Sequence, residues 1–319
     1  MKDANRDASC VVCQGQLHQG WNARDAKDSS PLPMSFCVAC GLVQRAAIPS
    51  AEQLAAYYAT EYRQDYKKAL QPKPKRIYRA GRIATGRLDV LNRFVNHGDL
   101  LDIGAGGGEF VFLAGMAGFT ARGVEPNEAY GQFARQNYEI DITTAGIDIL
   151  DGEPCADIVS MFHVLEHLQD PLDAVERIHQ ALRPGGIAFI EVPNVDAKDA
   201  APDNVYFAAH LLYFSASTLK QLFHRHFECL HLNDQGNLLA VFRRREQVLP
   251  PTDTATIGPI DNPARLGQLQ SRSWLQYLAN GGALKPLRKL TQTVRELSQT
   301  NGQQPRDVLL KLHQQRPSG

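Results

Sequence analysis

Residues 99–110, DLLDIGAGGGEF, constrain this chain more than any other stretch. A short apolar run ends in Asp102, a glycine-rich turn follows, and an apolar segment continues through Met116. That order predicts strand, loop, helix. The dinucleotide fingerprint G-x-G-x-x-G needs a small residue three places beyond its second glycine. Counted from Gly104 and Gly106, that place holds Glu109. A P-loop fails as well, because no Gly-Lys-Ser/Thr follows. What stands is G-x-G-x-G at 104, 106 and 108, with Ala105 inside it.

The alternation then repeats. FTARGVEPNEAY, residues 119–130, predicts a second strand, Glu125 at its end, Pro126, and a helix start. Glu125 lies 21 residues after Gly104. An acid at that place in a doubly wound sheet can accept both hydroxyls of a ribose. The plainer alternative is that it favours the positive N-terminus of the next helix. DITTAGIDILDG (141–152) holds a third strand and a loop, and ADIVSMF (156–162) a buried fourth strand ending in Phe162. PLDAVERIHQAL predicts a crossover helix, RPGG a turn, and GIAFIEVPN a fifth strand ending near Asn194. STLKQLF is a helix capped by Ser215 or Ser217. FECLHLN and NLLAVFRRR form a closing hairpin around residues 234–236. The expected class is α/β, a doubly wound, seven-stranded, mostly parallel sheet with helices on both faces.

These residues resemble the class I S-adenosylmethionine-dependent methyltransferases, whose first motif is an acid, one spacer, then G-x-G-x-G. The resemblance covers about residues 75–245 and is best over 99–195. It implies a cofactor bound by Asp102, Gly104, Ala105, Gly106, Gly108, Glu125 and Pro126. Glycines let the backbone approach the cofactor closely. Asp102 would orient its cationic amino-acid end, and Ile147 and Asp148, in the loop after strand three, would lie along the adenine. Phe162 and His163 would line the same pocket.

HVLEH, residues 163–167, matches H-x-x-E-H, a spacing some zinc peptidases use on one continuous helix. Here a strand precedes it and Asp170-Pro171 starts a new helix, so a peptidase is not expected. In the resembling family a near-identical stretch follows strand four, which places His163 near the transferring methyl or the adenosine. In quinone O-methyltransferases an acid three residues before such a Glu-His pair helps hold a divalent metal. This chain has His163 there, and Glu166 with His167 is read as a structural hydrogen-bonding pair. NVYFAAHLLYFSAS, 204–217, is an insertion over the carboxyl ends of the strands, where acceptors dock. The layout resembles sugar C-methyltransferases, which carry Tyr-His-Glu-His before a similar Tyr-Phe-Ser. Here Phe207, Ala208, Ala209 and His210 stand in those places. Only the last His matches, so carbon methylation is disfavoured and His210 is the candidate base for oxygen or nitrogen. The alternative is a structural loop histidine. His210 and His163 are the candidate catalytic residues.

Upstream, Cys10 and Cys13 form one C-x-x-C and Cys37 and Cys40 another, 23 residues apart. Two such pairs suit tetrahedral zinc with four thiolates, a closed shell and therefore a structural ion. Two unrelated thiol pairs are the alternative. A redox dithiol would open a helix in a βαβ unit, and neither pair does. The expected organisation is a zinc ribbon over 1–50, a helical connector over 51–98 with Tyr57, Tyr58, Tyr62 and Tyr66, and the cofactor domain over 99–246. A linker over 247–264 and a helical tail over 265–319 follow. The tail is basic, with nine Lys/Arg against two Asp/Glu, although the 319-residue chain has no formal net charge. It would pack on the core or mediate a homo-oligomer, and contact with nucleic acid is the alternative. No stretch approaches the roughly 18 apolar residues of a membrane span. The N-terminus lacks the apolar core of a signal peptide, so a cytoplasmic place with reduced cysteines is expected. The leading function is methyl transfer to a small molecule such as a sugar or glycan precursor. An RNA methyltransferase and a non-catalytic binding module are the alternatives.

Overall fold

The computed structural model describes residues 9–49, 72–250 and 262–316. The tyrosine-bearing stretch and most of the linker lie outside the described residues. The chain condenses into two compact units, neither contiguous in sequence. One, the glycine-loop unit, comprises Ser50–Phe162, Gln180–Phe189 and Lys285–Gly319; the other, the cysteine unit, comprises Met1–Pro49, His163–His179 and Ile190–Leu284.

In the glycine-loop unit, β4 (Gly98–Ile103) is the inner strand, with Leu100, Leu101, Asp102 and Ile103 all buried. Consecutive burial marks a parallel strand covered on both faces. It pairs in parallel with β5 (Phe119–Val124) on one side and β7 (Ala156–Phe162) on the other, so that Asp102 stands opposite both Gly123 and Ser160. Strand β6 (Asp141–Thr143) extends the sheet beyond β5. Helix α1 (Pro74–Leu91) starts with proline at its first position, where no N–H is missed. Helix α2 (Glu109–Met116) buries six residues in a row, Glu109 to Ala114, so it is enclosed on all sides. Helix α3 (Glu128–Tyr138) is capped by Asn127, whose side chain accepts the Tyr130 N–H at 3.2 Å.

The cysteine unit opens with a hairpin of β1 (Leu17–Arg24) and β2 (Pro31–Cys37), and β3 (Val43–Arg45) adds to β2. The fourth member of this sheet is β9 (Leu212–Tyr213), which pairs with β3 across Val43 and Gln44. The insertion after the fifth expected strand therefore completes the sheet of the N-terminal segment. Their shared core contains Met34, Phe36, Val43, Val195, Tyr206 and Tyr213. Helices α4 (Pro171–Ala181) and α5 (Ala216–His224) lie where expected. Ser215 rather than Ser217 caps α5, in a capping box with Thr218.

Strand β8 (Leu182–Val192) begins before the predicted turn and absorbs Arg183-Pro184-Gly185-Gly186, with Gly185 at φ 75°. With the closing hairpin of β10 (Phe227–Asn233) and β11 (Leu238–Arg244), the large sheet has seven strands ordered β10-β11-β8-β7-β4-β5-β6. The expected doubly wound, mostly parallel α/β fold is thus present.

The C-terminal helices are α6 (Asn262–Gln270), α7 (Trp274–Ala279), α8 (Lys285–Thr300) and α9 (Pro305–Gln314). Helix α9 buries Val308, Leu309 and Leu312, and Gly81 of α1 leaves the space that Leu309 and Leu312 fill. Leu290, Val294 and Leu297 recur at helical spacing along helix α8 and mark an apolar stripe, which the fold does not bury. The helix instead buries Glu296, which pairs with Arg79 and with Lys75 at 3.4 Å. The two cations on α1 override the apolar stripe.

Gly123 of β5 is closely covered by neighbouring side chains. A Cβ there would lie 2.6 Å from Ile142 Cδ1 and 2.7 Å from the Ala105 methyl. Gly123→Ala should destabilise the fold by about 1–3 kcal/mol, read as a lower urea midpoint at unchanged slope.

Candidate active site

The glycine loop is built on one carbonyl. The N–H groups of Gly104 and Ala105 both donate to Val124 O, at 2.8 and 2.9 Å. The turn this demands runs through left-handed backbone at Gly104 (φ 75°), Gly106 (54°) and Gly108 (82°). At Gly108 a Cβ would also strike Ile140 and Ala134, at 2.7 and 2.8 Å. At Gly106 it would meet nothing within 4 Å, so that glycine borders open space. Glu125 closes the turn. One carboxylate oxygen accepts the Gly106 N–H and the other the Asn127 N–H, both at 2.8 Å. Each oxygen keeps a further lone pair. Burial raises the Glu125 pKa, and these two amides oppose the rise.

Asp102, next to last in β4, is 2% exposed, and its Oδ1 accepts the Ser160 hydroxyl at 2.7 Å. Burial pushes its pKa up to about 7, opposed by Ser160 and by the charge of Arg87. The Arg87 guanidinium sits over the Phe162 ring, 3.8 Å from its centroid, and Phe110 and Phe189 meet that ring edge-on. Arg87 was not singled out from the sequence. It belongs to a helix that carries no motif, and only the register of α1 brings it here. Ile147 opens a short 3-10 turn, half-buried, with Asp148 exposed beside it, and Pro126 is exposed at the bend after Glu125.

The cysteine unit holds the second cluster. His163, directly after β7, has a left-handed backbone (φ 57°), rare for a residue with a side chain. Its N–H donates to Glu191 O at 2.9 Å. Its ring lies between two carboxylates, Nδ1 at 3.3 Å from Glu166 and Nε2 at 3.2 Å from Glu191. Burial lowers its pKa, but Glu166 and Glu191 more than offset this and hold it at about 9. His163 is therefore an imidazolium at neutral pH. Asn237 donates to the same Glu191 oxygen at 2.7 Å.

Glu166 is 1% exposed. Burial opposes its charge, yet the His163 hydrogen bond and the nearby histidines keep its pKa below the usual range. His167 donates from Nδ1 to Ala209 O at 2.8 Å, and its Nε2 lies 4.0 Å from Glu166. The His210 ring stands edge-on to His167, centroids 4.8 Å apart. Burial, then His167, lowers the His210 pKa to about 4, so this imidazole is neutral. Its Nδ1 and Glu166 Oε2 are buried without a hydrogen-bond partner. The donor atoms of Glu166, His167 and His210 lie within 4.8 Å of one another, close enough to share a proton or a cation. HVLEH is not one helix: His163 precedes a 3-10 turn over Leu165–His167. Glu191 and Asn237 were missed from sequence, since neither belongs to a recognisable spacing.

Cys10, Cys13, Cys37 and Cys40 come together, with sulfurs within 4.8 Å of one another and no disulfide. Gly15 makes room: a Cβ there would lie 3.2 Å from Cys13 Sγ and 2.9 Å from the Ala39 methyl. Gly41, at φ 76°, donates its N–H to Cys37 O and closes the second turn. The donor set fits a four-coordinate soft metal. Among the described residues no helix is long and apolar enough to cross a membrane.

Residues 74–232 match a family described as a methyltransferase domain. A ubiquinone biosynthesis O-methyltransferase from Caulobacter vibrioides is 29% identical over 144 residues, 40% of this chain and 57% of that protein. Another, from Idiomarina loihiensis, is 32% identical over 106 residues, 31% and 44% of the two chains. This chain spans about half the length of the curated relatives it matches. The fold is also that of 1,6-didemethyltoxoflavin-N1-methyltransferase from Burkholderia thailandensis, solved with S-adenosylhomocysteine. That likeness has TM-score 0.51 at 19% identity, covering 64% of this chain and 96% of the other.

The raised Asp102 pKa has a thermodynamic consequence. The folded protein keeps a proton that the unfolded chain has released, so this group erodes stability as pH rises from about 4 to about 7. Asp102→Asn should remain close to wild type near pH 4 and gain melting temperature over it near pH 8. Calorimetric scans across that range give the answer; a constant difference at every pH would contradict it.

Proposed function

We propose that this chain, whose residues 74–232 match a methyltransferase domain family, is a class I S-adenosylmethionine-dependent methyltransferase that methylates an oxygen of a small polar metabolite, with His210 as the base. The observation that carries this reading is a neutral, buried imidazole with an unpartnered ring nitrogen on the acceptor-side insertion. Bound S-adenosylmethionine supplies a methyl group on a sulfonium, already an excellent leaving group, so the enzyme mainly contributes proximity and alignment. The Gly104–Gly108 backbone admits the cofactor closely, Asp102 faces its amino-acid end, and the free lone pairs of Glu125 take the ribose hydroxyls. Ala105 and Pro126 would flank that contact, Ile147 and Asp148 would lie along the adenine, and Phe162 would line the same pocket.

The bound cofactor would supply the methyl group to the acceptor oxygen and keep the electron pair of the broken carbon–sulfur bond, and His210 would take the acceptor hydroxyl's proton. A positioned base of this kind contributes about 10²–10⁴-fold. His163, held as a cation, enters as the group that keeps Glu166 charged and both Glu166 and Glu191 in place. The cysteine unit also holds a cavity of about 850 Å³ lined in part by Lys198, Arg265, Arg272, Gln276 and Tyr277, polar groups of the kind a sugar or glycan precursor would meet. The Nε atoms of both arginines are buried there without a partner. The names of the ubiquinone O-methyltransferases favour transfer to oxygen.

We also assign zinc to the four cysteines as a structural ion: four thiolates close its shell and leave no position for substrate. Purified protein should release one zinc per chain on treatment with a mercurial, and Cys37→Ser should carry none. Less than about a third of an equivalent in wild type would remove the assignment.

Labelled S-adenosylmethionine offered with fractionated small molecules, glycans and RNA will identify the acceptor. On that acceptor His210→Ala should lose about 10²-fold or more in kcat while calorimetric cofactor affinity stays within about twofold. Equal losses in both would remove the base role, and label entering RNA would remove the small-molecule reading. Glu125→Ala should show the reverse pattern, weaker cofactor binding first.

A further inference from the structure

The turn that carries His210, Tyr206–Leu211, closes on itself through the His210 N–H to Phe207 O at 3.0 Å and is also tied to the N-terminal segment. Tyr206 O accepts the Ala26 N–H at 2.8 Å. The Ala208 N–H donates to Asp25 Oδ2 at 2.9 Å, and Ala208 O accepts from Arg45 Nη1 at 3.0 Å. The Arg45 N–H then donates to Leu211 O at 2.9 Å. Ala208 is thus gripped at both its polar groups, two residues from His210, by two charged side chains about twenty positions apart. On the far side, Leu211 N–H donates to Glu166 O and Ala209 O accepts from His167, both at 2.8 Å. The His210 turn is strung between the cysteine-bearing segment and the Glu166–His167 pair.

Asp25 is not a casual surface contact. It is 5% exposed, and its other oxygen accepts the Lys27 N–H at 2.7 Å, which fixes the carboxylate within the β1–β2 turn. Each oxygen thus accepts one backbone N–H, Oδ1 from Lys27 and Oδ2 from Ala208. Arg45 ends β3, the strand on which β9 pairs, so its side chain and main chain act on one short loop. Its placement follows from the strand order β1-β2-β3-β9.

We propose that Asp25 and Arg45 are positioning residues that clamp Ala208 and so set the His210 imidazole. The N-terminal cysteine segment is then a working part of the acceptor side and not an appendage. This rests on the reading of His210 as the base, but the clamp is a statement about geometry and can be tested without an acceptor.

Full-length Asp25→Ala, Arg45→Ala and Arg45→Lys would be compared with wild type by hydrogen–deuterium exchange, by NMR of the His210 ring, and by calorimetry with S-adenosylhomocysteine. Zinc content serves as a fold control. Exchange over 206–211 should rise about tenfold in the alanine variants. The His210 ring resonances, assigned by their loss in His210→Ala, should move. S-adenosylhomocysteine affinity should stay within about twofold and zinc content should hold, with Arg45→Lys recovering part of the protection. Unchanged exchange and ring resonances would overturn the clamp. So would a joint loss of zinc and cofactor affinity, because that marks Asp25 and Arg45 as general scaffold. Full activity in His210→Ala would reject the base and leave the exchange result standing, so the two failures are separable.

Discussion

Two amide N–H groups converging on the carbonyl of Val124 set the geometry on which the glycine loop and its two acids depend. To deliver both donors to one oxygen, the chain must leave β4 and turn at once. Only left-handed backbone makes that turn in so few residues, and glycine adopts it without cost. The same turn aims the Gly106 amide at Glu125, so the acid closing β5 is anchored by the loop that follows β4. Parallel pairing of β4 and β5, with Asp102 opposite Gly123, makes the two ends coincide. Remove the pairing and neither acid has a defined position.

The two polar clusters solve the problem of burying carboxylates in opposite ways. Asp102, Glu109 and Glu125 are stripped of water with too little compensation, and their pKa values rise. Such a place suits a cationic ligand, since a sulfonium or ammonium returns the stabilisation that water no longer gives. In the cysteine unit, Glu166 has a cation at hand in His163, and its pKa falls instead. Fixed charge there lets a neighbouring histidine stay neutral and available. His210 is kept neutral by burial and by the proximity of His167, a condition opposite to that of His163.

Much of the fold was legible because it rests on local rules. Each βα unit announces itself by an apolar run, a turn residue and a helical period, and β4 to β7, α3 and α4 lie where those signals fall. The cysteine pairs were legible for the same reason, since a two-residue gap presents two sulfurs from one turn. Local rules failed where a remote partner outweighed them. The α8 stripe of Leu290, Val294 and Leu297 predicts an inward face, yet the cations of α1 draw Glu296 inward. RPGG promised a turn, and strand pairing extended β8 through it. HVLEH had the spacing of a metal helix, but a strained His163 and a 3-10 turn put its side chains to another use.

By itself, the sequence determined the glycine turn, the acid at the end of each of the first two strands, the βα alternation and the grouping of four sulfurs. Each depends on residues close together in the chain, so spacing alone specifies the geometry. Only the tertiary structure decided that Arg87 would sit beside Asp102, that Glu191 and Asn237 would complete the His163 cluster, and that Asp25 and Arg45 would hold Ala208. Those partners lie from 15 to more than 180 positions apart. Strand order and helix register bring them together, and no local pattern encodes such a meeting: it follows from which surfaces can be buried against each other once the whole chain has folded.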